Sequence, residues 1–263
     1  MKQIKSKSIV FITGAFVTHR GWDNWRTYFE NKGYRTVAPP WPFKEGEPQE
    51  LRAKHPLGNP GLASLKLSEL IDSYVDAVRS MPEKPIAIGH SLGGMMAQIL
   101  LNRGLVEAAV AIHPAPPQGI IPYEFSFFKG GGKALGVFTS SKKTYLMSLA
   151  DFQYAFVNGM SIEDQKAAYE ASAIPESKSV TRGTLTSQAG LDWKKSHGPL
   201  LITSGSEDNI IPASLNLRNF KKYPQNNGSI TSYKEFHGRN HYILGQPTWK
   251  EDADYILDWI EKT

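Results

Sequence analysis

The amino-acid sequence predicts an α/β fold, a mostly parallel central sheet flanked by helices, and three observations carry that expectation. Short apolar runs of strand length alternate along the chain with segments of helical periodicity. One run, Pro85-Ile86-Ala87-Ile88, passes through Gly-His-Ser-Leu-Gly-Gly at 89–94 straight into an apolar helical stretch. The length of 263 residues is ordinary for one such fold and sufficient to bury a sizeable core.

The elements follow in order. Lys7-Ser8-Ile9-Val10-Phe11-Ile12 reads as the first strand, 22–31 as the first helix and 34–38 as the next strand. Residues 41–61, rich in proline and glycine, read as an irregular connection. Leu67, Leu70, Ile71, Tyr74, Val75 and Val78 recur at helical spacing, so 66–80 should be an amphipathic helix packed on the sheet. After the strand at 85–88 come a helix through Met95–Leu101 and a strand at 107–112. Strands at 199–203 and 230–236 and a helix at 248–261 complete the alternation. No internal repeat or low-complexity tract is present.

The rhythm breaks between 114 and 196. This segment opens on Pro-Ala-Pro-Pro, is interrupted by Gly130-Gly131-Gly132, and has helical stretches near 141–149 and 162–171. An insertion of this size between two core strands fits a lid over a site, with the glycine triplet as its hinge. The expected division is therefore a core of 1–113 and 197–263 with a lid of 114–196. Tyr123, Phe125, Phe127, Phe128, Phe138, Tyr145, Phe152, Tyr154 and Phe156 crowd this lid, so what it covers should be partly apolar.

Composition excludes several classes. Thirty Lys and Arg against twenty-five Asp and Glu give +5, spread without the dense basic blocks of a nucleic-acid binder. The absence of cysteine excludes disulfides, thiolate zinc sites and a cysteine nucleophile. The first seven residues lead into a strand with no apolar stretch of signal length, which makes a cytoplasmic location the default. No run approaches the length of a membrane span.

Gly89-x-Ser91-x-Gly93 lies between a strand and a helix, the context of a nucleophile elbow. Such a turn holds the serine in a strained backbone conformation, and side chains at 89 and 93 would collide where helix meets strand. A serine nucleophile needs a base and an acid that orients the base. Acid candidates follow the strand at 199–203, where Gly205-Ser206-Glu207-Asp208 offers Asp208 and Glu207. Base candidates follow the strand at 230–236, where His237-Gly238-Arg239-Asn240-His241 offers His241 and His237. His90 reads as packed, His19, His55 and His197 as loop residues, and His113 ends a strand from which it could look into the site.

With a glycine loop after the first strand, the elbow, the acid loop and the histidine loop in that order, the chain resembles the α/β-hydrolase superfamily over essentially its whole length. The resemblance implies an α/β-hydrolase fold with an inserted helical lid and a catalytic triad of Ser91, Asp208 and His241. The Gly-x-x-Asp spacing with Ile-Ile-Pro after it favours Asp208 over Glu207, and Arg-Asn-His-Tyr favours His241 over His237. It further implies an oxyanion hole built from the backbone N–H of Leu92 and of Ala15, with Phe16 second for the latter place. The resembling enzymes usually read His-Gly-x in this loop, and here Thr13 replaces the histidine. Phe16 is also expected against the substrate. Neither cofactor nor metal is implied, and the serine at the elbow separates the chain from haloalkane dehalogenases and epoxide hydrolases, which use aspartate there.

The expected activity is cleavage of a carboxylic ester or related acyl bond in a small to medium, partly apolar molecule through an acyl-enzyme. A lactonase, for example one acting on acyl-homoserine lactones, would use the same parts. A lidded small-molecule receptor with little turnover is the alternative from another class.

Overall fold

The structure, a computed structural model, describes residues 3–136 and 139–263. Phe138 of the aromatic group lies outside the described residues. Six strands, β1 (Ser8–Ile12), β2 (Arg35–Val37), β3 (Ile86–His90), β4 (Ala108–Ile112), β5 (Leu200–Gly205) and β6 (Thr231–Phe236), form one sheet in the order β2-β1-β3-β4-β5-β6. Every strand pairing is parallel.

β1, β3, β4 and β5 are buried along their whole length, which is why they read as unbroken apolar runs with no polar alternation. Their side chains still divide by strand periodicity. Val10, Ile12, Ala87, Ala109, Ala111, Leu200 and Ile202 face one core, shared with α4 (Leu67–Arg79), α5 (Leu92–Asn102) and Leu215 of α10 (Ala213–Lys222). Ile9, Phe11, Ile86, Ile88, Ala108, Val110, Ile112 and Leu201 face the other, closed by α1 (Asp23–Glu30) and α11 (Trp249–Lys262). α5 is apolar on every side and buried from Leu92 to Leu101, as expected of a helix at the centre of a fold.

Three local expectations are corrected. The connection at 41–61 contains two short helices, α2 (Pro48–Ala53) and α3 (Pro60–Ser64). Their prolines occupy first helical positions, where the missing N–H costs nothing, and Asn59 caps α3 by accepting from the Leu62 amide at 3.1 Å. The glycine triplet lies inside a helix, α6 (Phe125–Leu135). Gly130 allows that helix to press on Ile210, whose Cα would stand 3.3 Å from an added Cβ. The helix placed near 141–149 starts only at Leu149. Ser148 caps α7 (Leu149–Ala155), while Tyr145 pairs with Glu176 in an isolated antiparallel bridge. α8 (Ile162–Ser172) stands where expected, and α9 (Lys178–Gly183) follows it.

Helices α6 to α9 thus lie between β4 and β5, and they are bonded to the core at several loops. The carbonyl of Phe156 accepts from Tyr242 N–H at 3.0 Å, and Asn158 donates to the Glu207 carbonyl at 2.8 Å. Residues 172–174 pair with the loop after β1, where Ser172 O accepts from Thr18 N–H at 3.0 Å and Ile174 N–H donates to Phe16 O at 2.9 Å. Among the described residues no helix is long and apolar enough to cross a membrane.

Candidate active site

In a parallel sheet all strands end at one edge, so the loops after β1, β3, β4, β5 and β6 converge there. They bring together Ala15, Ser91, His113, Asp208 and His241. Ser91 occupies the turn between β3 and α5 with φ +58° and ψ −123°, a disfavoured conformation for a residue with a side chain. The glycines on either side make the turn feasible. A Cβ on Gly93 would stand 2.0 Å from the Ile12 carbonyl oxygen, and one on Gly89 would stand 2.1 Å from that of Gly93. The Ser91 amide donates to Ile112 O at 2.9 Å, and its carbonyl accepts from Ala115 N–H at 2.9 Å. The strained turn is thereby tied to the neighbouring strand.

Ser91 Oγ lies 2.9 Å from His241 Nε2, and His241 Nδ1 lies 2.7 Å from Asp208 Oδ2. The second carboxylate oxygen, Oδ1, accepts the amides of Ile210 at 3.0 Å and Ile211 at 2.7 Å. Those two bonds fix the carboxylate plane and explain why Ile-Ile follows the aspartate. Glu207 and His237, the competing candidates, are exposed. The His241 side chain is buried, with Phe156 edge-on at 4.8 Å and the His90 ring at 4.6 Å.

Asp208 has a second imidazole. Nδ1 of His113, at the end of β4, lies 2.9 Å from the same Oδ2. Burial opposes ionisation of Asp208, but contact with His241 and with His113 outweighs it and holds the carboxyl below the usual carboxylate range. Burial depresses His113, against the pull of Asp208. It holds His90 well below the usual imidazole range, with the neighbouring His241 and His113 adding to the effect. Both histidines are therefore neutral at neutral pH.

Ala15, Phe16, Ser91 and Leu92 line one side of a cavity of about 330 Å³. Phe127, Phe128, Ala134 and Leu185 of the inserted segment, with Ile210 and Ile211, line another. Its walls carry no charged side chain. A larger hollow of about 580 Å³ lies at the opposite edge of the sheet, against Lys5, Glu107 and His197, far from the serine. The amides of Ala15 and Leu92 have no acceptor among the described residues, whereas the Phe16 amide is taken by Glu176 Oε2 at 2.9 Å. Of the two amides expected from the loop after β1, that of Ala15 is thus left without a partner among the described residues, and that of Phe16 is not. His113, Asp208 and His241 also form a compact trio of metal-ligand types. Their contacts of 2.7 and 2.9 Å suit a bridging proton; a metal about 2.0–2.2 Å from each ligand atom would have to push them apart.

Residues 9–249 match the model of the alpha/beta hydrolase family. The chain belongs to that family. No curated protein is similar in sequence. Among solved structures, a monoacylglycerol lipase from Paleococcus ferrophilus is 19% identical with a TM-score of 0.69, over 100% of this chain and 97% of that one. A pyrethroid hydrolase from Sphingobium faniae JZ-2 is 17% identical with a TM-score of 0.67, over 97% and 98%. A methylesterase from Arabidopsis is 14% identical with a TM-score of 0.67, over 97% and 99%.

The structure brings the six residues expected from the sequence, Ser91, Asp208, His241, Ala15, Leu92 and Phe16, to one place in this hydrolase. It adds His113 and Glu176, to which the sequence assigns no role. The position of His113 at the end of an apolar strand was the one available signal for it. Glu176, in Ile-Pro-Glu-Ser, carries no local signal, because its partners lie 132 and 160 residues away.

Proposed function

We propose that this hydrolase cleaves the carboxylic ester of a small to medium, largely apolar molecule through an acyl-enzyme on Ser91. The single observation that carries the reading is the continuous relay from Ser91 Oγ to His241 Nε2 at 2.9 Å and from His241 Nδ1 to Asp208 at 2.7 Å. With Asp208 ionised, Nδ1 of His241 keeps its proton and Nε2 offers a lone pair to the serine hydroxyl. His241 takes that proton as Ser91 Oγ bonds to the carbonyl carbon. The amides of Ala15 and Leu92 meet the oxyanion, and the imidazolium returns the proton to the departing alkoxide. Water then adds under the same base, and the carboxylic acid leaves.

Residues 114–196 act as the lid in this reading, with Phe16 on the core side and Phe127 and Phe128 on the lid side of the bound acyl group. The neighbours named methylesterase, monoacylglycerol lipase and pyrethroid hydrolase support an ester as the scissile group. A lactone presents the same bond in a ring.

A panel of esters, thioesters and lactones, assayed with the wild type and Ser91→Ala, tests the proposal. Hydrolysis should be fastest on apolar esters and fall on the order of 10⁶-fold in Ser91→Ala. Asp208→Asn should lose on the order of 10⁴-fold by fixing the wrong tautomer, whereas exposed Glu207 should tolerate glutamine. Turnover that survives Ser91→Ala would overturn the proposal.

A further inference from the structure

Lys44 and Glu176 form an ion pair of 2.6 Å whose side chains are 3% and 0% exposed. Such a pair is a poor source of stability, since apolar residues of similar volume commonly do as well. Its surroundings suggest another use. Glu176 Oε2 accepts the Phe16 amide at 2.9 Å, and Oε1 accepts the Ser177 amide at 2.7 Å. The Lys44 ammonium lies 3.7 Å from the centre of the Trp41 ring, and Trp41 Nε1 donates to the Thr13 carbonyl at 3.0 Å. The Thr13 amide donates to the Tyr74 hydroxyl at 3.3 Å, and the Phe16 carbonyl accepts from Ile174 N–H at 2.9 Å.

Both polar backbone groups of Thr13 and both of Phe16 are therefore held, one residue on each side of Gly14-Ala15. Phe16 is also at φ +70°, a conformation that a phenylalanine keeps only when its neighbours impose it. A donor aimed at developing charge is effective when it does not have to reorient during the reaction. A bare carboxylate at the next amide would repel the oxyanion, and the Lys44 ammonium cancels that field.

We infer that Glu176, neutralised by Lys44, is a positioning residue that presets the Ala15 amide for the oxyanion by holding the amide of Phe16. The inference rests on the serine-hydrolase reading above. Neither Glu176 nor Lys44 lines the cavity beside Ser91, so their effect should fall on kcat and not on KM.

Two double variants isolate the hydrogen bond from the charge. Lys44→Met/Glu176→Gln removes both charges and keeps an oxygen for the Phe16 amide; Lys44→Met/Glu176→Leu removes both charges and the acceptor. Each avoids an unpaired buried charge, so each should fold, which thermal melting checks. On the best ester of the panel, the glutamine variant should stay within a few fold of wild-type kcat. The leucine variant should lose about ten- to a hundredfold in kcat, less than deletion of a donor costs, with KM little changed. Inhibition by a trifluoromethyl ketone, which forms a tetrahedral adduct, should weaken in step with kcat. The single variant Lys44→Met, which leaves the carboxylate uncompensated, should be slower than the glutamine double variant. Equal kcat in the two double variants, or a kcat loss without weaker ketone inhibition, would overturn the inference. Ser91→Ala runs alongside: if it retains turnover the hydrolase reading fails, and if it is inactive while the double variants match, only the role of Glu176 fails.

Discussion

Nδ1 of His113 lies 2.9 Å from Oδ2 of Asp208, the oxygen that also meets His241. One carboxylate oxygen thus serves two imidazoles. Because Asp208 is ionised, each Nδ1 carries its proton, and Nε2 of His113 has no partner among the described residues. The negative charge available to an imidazolium at His241 is shared with a second donor.

Removing that donor should loosen Asp208. In His113→Phe the ring volume stays and the hydrogen bond goes, leaving the buried carboxylate one partner short. The melting temperature should fall by about 5 °C and kcat by several-fold, as the carboxylate loses part of what fixes it beside His241. A lower melting temperature with unchanged kcat would reduce His113 to packing.

Acid stability should depend on His90. The ring is buried, its nitrogens have no partner among the described residues, and burial holds its folded-state pKa well below 6.5, so in that range the unfolded chain binds the extra proton. The stabilisation is complete above about 6.5 and declines as pH falls toward the folded value. Melting temperature should drop between pH 7 and 5, and His90→Phe should flatten that drop. An unchanged slope in the variant would assign the loss to other groups.

Gly132 and Gly93 should respond oppositely to alanine. Nothing stands within 4 Å of a Cβ on Gly132, which lies inside α6, so Gly132→Ala should gain about 0.5–1 kcal/mol and raise the melting temperature by about 2 °C. Turnover should be unchanged, since the glycine triplet is helical. Gly93→Ala should fail to fold, because its Cβ would meet the Ile12 carbonyl. Slower turnover in Gly132→Ala would show that α6 bends there during catalysis.

Acyl-chain preference should follow the apolar cavity. Each CH₂ buried there adds about 0.8 kcal/mol, about fourfold in kcat/KM, until its roughly 330 Å³ is filled. Ala134→Phe, which fills the wall contributed by α6, should move the optimum to shorter chains. A steady decline from acetate upward in the wild type would exclude this cavity as the acyl site.

The elbow was legible in sequence because its chemistry is local: a strained serine needs small residues two positions away on each side. The acid and histidine loops were legible because each ends a strand of readable apolar character. His113 was legible as a strand-end residue that could look into the site, but its hydrogen bond to Asp208 was not, since that depends on how β4 and β5 lie side by side, as in the pairing of Ile112 with Thr203. Helix α6 was misread because its three glycines lower helix propensity, while contact with Ile210, 80 residues later, overrides it. The prolines of α2 and α3 misled in the same way, read as breaks where they begin helices.

The pairing of residues 172–174 with the loop after β1 bears on how this scaffold can be re-engineered. Grafting another family member's complete 114–196 segment would also remove the partners of Phe16 and Thr18, and with Phe156 and Asn158 those of the histidine and acid loops. A chimaera made that way would exchange the contacts that hold the loops of Ala15, Asp208 and His241 together with the cavity wall. The stretch that can be exchanged for a new substrate range is the front portion, centred on α6, which forms cavity wall without gripping the loop that carries Ala15.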